Sequence, residues 1–139
     1  MKYFLPITFF IFLSASALSA QDAVPETDFL NNVFKECPKE EASFKREFAA
    51  SAGNVVDAVV YTLDGELRMK GQYMVVGQKL VKHGKFTYFY AGEGVESEGY
   101  YEKDVKVGSW KRFTAEGAAR PDRYYSPESA DFVREVMKG

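Results

Sequence analysis

The sequence predicts an α+β domain in which an antiparallel β-meander of repeated hairpins is flanked by N-terminal and C-terminal helices. Aromatic residues make up 16% of the chain, and flat rings pack well across strands. Asp64-Gly65 lies between two runs rich in Val, Tyr and Leu, which is a strong signal for a hairpin. The phrase VKHGKFTYFYAGE at 81–93 returns as VKVGSWKRFTAEG at 105–117, which indicates an internal β repeat.

Residues 1–20 have the layout of a secretory signal peptide. Lys2 precedes an apolar run and a small-residue tail that ends at Ala20. The run is shorter than the roughly 20 residues that a membrane-spanning helix needs. We therefore expect cleavage after Ala20, with Ala17 as the alternative, and an exported protein that is periplasmic or secreted.

Residues 21–54 are predicted to be helical. Apolar residues from Phe29 to Phe34 follow a helical spacing, and Phe44 and Phe48 repeat it at i, i+4. Pro38 interrupts the pattern, which favours two short helices, or one broken helix, between 26 and 52. Their apolar stripe is expected to cover the sheet.

Residues 126–139 are predicted to form a C-terminal helix. Ser126 is a suitable N-cap and Pro127 suits the first helical position. Phe132, Val133 and Val136 make one apolar face, which is expected to pack on the rings of the sheet.

The β repeat, predicted over 55–125, is defined by glycines and by the rings that follow them. Two strings share one pattern, with a loop of different length inside each. Glycine at these positions would let a neighbouring ring or strand come close. The first string is Gly71-x-Tyr73 with Gly84-x-Phe86, and the second is Gly99-x-Tyr101 with Gly108-x-Trp110.

This pattern, in GYYEKDVKVGSWKRFTAEG at 99–117 and more weakly in GQYMVVGQKLVKHGKFTYFYAGEG at 71–94, resembles the MORN repeat, and most closely its bacterial antitoxin-like variant. The chain departs from the family in having no Asn-Gly turns and an uneven spacing. The resemblance implies a meander of hairpins that serves as a binding scaffold, sometimes at membranes and usually without catalysis.

The function predicted from these features is an exported, non-catalytic binding module with a protein or cell-envelope partner. If rings of the repeat remain exposed, they are the candidate interaction surface, whereas packing in the core is the simpler interpretation. The candidate surface consists of Tyr73, Phe86, Tyr101 and Trp110.

No residue pattern predicts a cofactor, a metal site or a catalytic relay. His83 is the single histidine and Cys37 the single cysteine, too few ligands for zinc. Cys37 is expected to be a small buried residue, with an intermolecular disulfide as the alternative. A small carboxylate-dependent hydrolase is the second functional hypothesis, with Glu98 and Glu102 as its acids. Pairing of these acids with lysines on a solvated strand face is the simpler interpretation.

Charge disfavours two classes of partner. The formal net charge is −2, and loss of Lys2 with the signal peptide makes it one unit more negative. Proteins that bind nucleic acids or anionic lipids usually carry a surplus of basic residues, so we expect no nucleic-acid ligand. Association with a membrane surface stays open by family analogy only.

Overall fold

The computed structural model describes residues 24–139, which form an antiparallel sheet and a C-terminal helix. The predicted signal peptide lies outside the described residues. A short 3₁₀ turn, Lys39–Glu41, precedes the second strand. The strands are β1 Thr27–Leu30, β2 Phe44–Ala50, β3 Val55–Thr62, β4 Leu67–Val76, β5 Lys79–Lys82, β6 Gly84–Phe89, β7 Val95–Glu102, β8 Val105–Phe113 and β9 Ala119–Tyr125, and the helix α1 is Pro127–Lys138.

The strands follow one another across a nine-stranded sheet in the order β1-β2-β3-β4-β6-β7-β8-β9. Every pairing is antiparallel, as the sequence predicts. β5 and β6 both pair with β4, β5 along its C-terminal half and β6 at Met69 and Lys70. His83 separates them, and its N–H continues the ladder to the carbonyl of Gln72 at 3.1 Å.

The hairpin predicted at Asp64-Gly65 is confirmed. Gly65 has a φ of +94°, a conformation that glycine adopts without strain. The amide of Thr62 donates to the carbonyl of Glu66 at 2.8 Å and closes the turn. A second tight hairpin, between β7 and β8, places Lys103 and Asp104 at positive φ, as two-residue hairpin turns require.

The predicted N-terminal helices are wrong, because residues 27–50 contain β1, β2 and only a 3₁₀ turn. Phe44 and Phe48 are four residues apart, which is one helical turn but also two full periods of a strand. In β2 Arg46 is 4% exposed and lies over the ring of Phe48. Side chains two residues apart share one face of a strand, so this buried arginine lies on the same face as Phe44 and Phe48.

The core depends on rings that lie directly over glycines of the preceding strand. A Cβ on Gly71 would overlap the ring of Phe86, and a Cβ on Gly99 would lie 2.5 Å from the indole of Trp110. Phe86 is 0% exposed and Trp110 is 1% exposed. Glycine is thus required here for close approach and not for turn geometry.

The C-terminal helix is confirmed, but only part of its predicted apolar face meets the sheet. Ser129 donates its N–H to the hydroxyl of the N-cap Ser126 at 3.1 Å, and Pro127 opens the helix. Ala130 is the buried residue of α1, whereas Phe132 is 71% exposed and Val136 is 63% exposed. The rings of the sheet are covered by one another, so the apolar face of the helix lies largely open.

Replacing Gly71 or Gly99 by Ala is expected to lower the free energy of unfolding by about 1–3 kcal/mol, since the added methyl overpacks the core. Gly94→Ala is the matched control, because its Cβ would make only an ordinary contact at 3.8 Å with the carbonyl of Ala115. Urea unfolding measures all three. Equal losses in the three variants would contradict the close-approach explanation.

Candidate functional site

One face of the sheet carries a continuous row of rings, which we call the ring row: Phe48, Tyr73, Phe86, Tyr101 and Trp110. Successive centroids are 6.3, 5.4, 4.8 and 5.2 Å apart, and each pair meets edge to face. This arrangement is favoured by the charge distribution of aromatic rings. The indole N–H of Trp110 donates to the carbonyl of Tyr100 at 3.1 Å, so its polar group is satisfied.

Three basic side chains lie over rings of the ring row. Arg46 is 4.7 Å from the ring centroid of Phe48 and 5.0 Å from that of Tyr73. Lys82 is 4.9 Å from Tyr101. Lys106 is 4.5 Å from Trp110 and continues the series, and all these distances allow cation–π attraction.

The two lysines occupy the same place in the repeat. Lys82 and Lys106 each lie two residues before a glycine, in VKHG and VKVG, and each pairs across strands with a tyrosine. Tyr73 is opposite Lys82, and Tyr101 is opposite Lys106. The repeat therefore places basic groups on this face as well as rings.

Arg46, at the N-terminal end of the row, is neutralised. Its Nε donates to Asp28 Oδ1 at 2.9 Å, and one terminal nitrogen donates to Glu36 Oε1 at 2.9 Å. Burial opposes its charge, but hydrogen bonding to Asp28 and electrostatic attraction to Tyr73 and Asp28 together outweigh that effect, so the pKa of Arg46 is raised. Phe34, from the segment between β1 and β2, stacks on Phe44 at 4.6 Å and covers this end of the face.

The C-terminal end of the row is basic and lacks such neutralisation. A pocket of about 320 Å³, called here the cationic pocket, opens beside Trp110 and Tyr125. Within residues 24–139 none of its basic side chains has a carboxylate oxygen within 4.0 Å. Its basic side chains are Lys106, Arg112, Arg120 and Arg123, and Glu96 is its one acid.

The crowding of positive charge affects Lys106 directly. Burial lowers the pKa of its ammonium, and the charges of Arg123 and Arg112 lower it further, with Glu96 opposing them. A positive charge that is disfavoured in the folded chain gains from a bound anion, since an opposite charge within a few ångströms stabilises the charged form.

In the structure the basic side chains of the cationic pocket are a better candidate site than the rings. Tyr73, Phe86, Tyr101 and Trp110 are all buried, at most 9% exposed, so they are core and not an exposed contact surface. Among the repeat glycines, Gly71 and Gly99 accept rings, whereas Gly84, at the start of β6, and Gly108, within β8, have φ of +122° and +69°. The basic pocket was not predicted, although the repeated VK-x-G carries a signal for it.

The remaining candidate residues have structural contacts. His83 Nδ1 accepts the N–H of Lys103 at 3.3 Å, and Glu98 approaches Lys85 at 4.0 Å. Glu102 pairs with Arg134 at 3.4 Å. Cys37 is half-buried, and burial raises the pKa of its thiol, as do nearby Glu41 and Asp28. Within the described part of the chain, no group of three or more His, Cys, Asp or Glu residues is placed to hold a metal ion.

Comparison with known proteins returns no matching family model, no matching curated protein and no matching solved structure. Between residues 24 and 139, no helix is both long enough and apolar enough to span a membrane.

Arg46 is expected to be a structural cation. Asp28→Ala should lower the free energy of unfolding by about 3 kcal/mol, because it leaves a buried guanidinium without its main partner. Glu36→Gln is the control, since the Glu36 side chain is 66% exposed and such pairs contribute about 1 kcal/mol at most. Urea unfolding measures the loss of unfolding free energy in both variants. Equal losses would refute the assignment of Arg46 as a structural cation held mainly by Asp28.

Unlike Arg46, Lys106 is not expected to stabilise the fold through its charge. Lys106→Met keeps the aliphatic contact with Trp110 and removes a charge that the fold disfavours, so the urea midpoint should not fall. A midpoint lowered as far as in Asp28→Ala would show that Lys106 is also a structural cation.

Proposed function

We propose that the chain is an exported, non-catalytic binding module that binds an acidic segment of a protein partner in the cationic pocket. The observation that carries the proposal is the contrast along the ring row. Arg46 has two carboxylate partners, whereas the basic side chains of the pocket have none among the described residues. Export through residues 1–20 and a MORN-like repeat belong to the same proposal and rest on the sequence.

Local charge supports an acidic ligand although the whole chain is acidic. Four basic side chains lie around one pocket against a single acid, and exposed charges more than about 10 Å apart are largely screened at 0.1 M salt. The local positive charge of the pocket therefore acts on a bound ligand more strongly than the net negative charge of the whole chain. Arginine and lysine bind carboxylates by charge-assisted hydrogen bonds, which are stronger than neutral ones.

Pairing with the β9 edge of the sheet is a poor alternative way to bind such a ligand. β9 is an edge strand and contains Pro121, which has no N–H to offer an added strand. Arg120 and Arg123 flank this proline and line the pocket. A partner is thus bound by side chains on the face of the sheet.

The test uses a fluorescent hexaglutamate peptide and the chain as purified from cells that express the full sequence. Arg123→Gln is expected to weaken binding about tenfold, because a hydrogen bond to a charged group contributes about 1.5–3 kcal/mol. Arg120→Gln should act in the same direction. Affinity is measured by fluorescence anisotropy at 0.1 M salt.

Lys111→Gln is the matched control. It removes one positive charge from the exposed side chain between Trp110 and Arg112, which points to the opposite face of β8. An unchanged affinity in this variant and a loss in Arg123→Gln would support the pocket. Equal losses, or no binding to the unaltered chain, would refute the proposal.

A further inference from the structure

An apolar groove lies where α1 meets the sheet. Its volume is about 290 Å³, and its apolar walls are Tyr101, Val105 and Tyr125 from the sheet and Ala130 and Val133 from the helix. The polar residues that also line it are Asp104, Lys106 and Ser129. Tyr101, Val105 and Ala130 are buried, whereas Val133 is 41% exposed at the opening. A groove of this size is at the lower end of the range for ligand pockets, and suits one or two bulky side chains.

The groove and the cationic pocket are adjacent. Lys106 and Tyr125 line both cavities, so a ligand in one contacts the wall of the other. Lys106 offers an apolar stem as well as an ammonium, and the ammonium lies over the rings of Trp110 and Tyr125. Long basic side chains commonly combine an apolar stem with a charged end in this manner.

We propose that the two cavities form one bipartite site for an acidic peptide segment that carries a bulky apolar side chain beside its carboxylates. The carboxylates bind the basic groups of the pocket, and the apolar side chain enters the groove between Val105 and Val133. This inference rests on the proposed function and adds the nature of the partner segment. Apolar anchors in pockets dominate the affinity of many such interfaces, while charges determine orientation and rate.

Exposed apolar side chains of α1 extend the apolar surface beyond the groove. Val133 at the groove opening is followed by Val136 and Met137, which are 63% and 61% exposed. Patches of exposed apolar surface with a polar rim are typical of protein interaction sites. A partner segment that leaves the groove therefore meets further apolar surface.

The experiment compares hexaglutamate with the same peptide extended by one leucine. The leucine is expected to tighten binding about tenfold on the unaltered chain, as burial of such a side chain allows. Val133→Ser should abolish this gain and leave the affinity for hexaglutamate unchanged. Val136→Ser is the matched control on the same helix, and should keep most of the gain because Val136 does not line the groove.

The outcomes separate the two proposals. If hexaglutamate binds and the leucine adds nothing, the bipartite site is refuted while the cationic pocket stands. If neither peptide binds, the proposed function fails. Arg123→Gln should weaken both peptides equally and preserve the leucine gain, whereas a lost gain would mean that the cavities are not separable as described.

Two other occupants of the groove would overturn the inference. Light scattering that shows a dimer, dissociated by Val133→Ser, would assign the groove to a second copy of the chain. Co-sedimentation with anionic phosphatidylglycerol vesicles but not with neutral ones, lost in Val133→Ser, would assign it to a lipid. We expect a monomer and no sedimentation with either kind of vesicle.

Discussion

The fold depends on two contacts between a glycine and a ring. Phe86 lies on Gly71 and Trp110 lies on Gly99, so each ring fills the space that a side chain on the neighbouring strand would otherwise occupy. Because each ring also meets Tyr73 or Tyr101 edge to face, the contacts join into one core along the sheet. A small residue under a large one lets the strands of a single sheet bury rings without a second layer over each of them.

This packing explains why α1 has so little to cover. In most two-layer folds a helix buries its apolar face on the sheet. Here the rings are already enclosed by one another, by the cations above them and by Phe34. The helix buries Ala130 at one end of the sheet and leaves Phe132 and Val136 exposed. The groove lies where Ala130 and Val133 of this helix meet the sheet.

The sequence was sufficient for the antiparallel meander, the Asp64-Gly65 hairpin and the capped helix, since each is determined by local signals. It failed at Phe44 and Phe48, because a spacing of four residues satisfies both helix and strand. Midway between them is Arg46, whose burial depends on Asp28, a distant partner. The candidate surface was conditional on exposed rings. Whether rings two residues after a glycine are exposed or packed in the core depends on register across strands, which composition and spacing do not determine.

The cations over the ring row have different consequences at its two ends. At Arg46 a buried charge is matched by Asp28 and Glu36, so it contributes to the unique packing of the N-terminal strands. At Lys106 the same kind of contact with a ring is accompanied by burial, which lowers the pKa of the ammonium, and by repulsion from Arg123 and Arg112, which lowers it further against the opposing charge of Glu96. Like charges held together without a partner reduce stability, and binding sites are where such a cost is offset by a ligand. Arg123 lies two residues before Tyr125, just as Gly71 and Gly99 lie two residues before Tyr73 and Tyr101, so at the last such position in β9 a ring-accepting glycine is replaced by a charge. The end of the glycine pattern therefore contributes one of the four basic side chains of the cationic pocket.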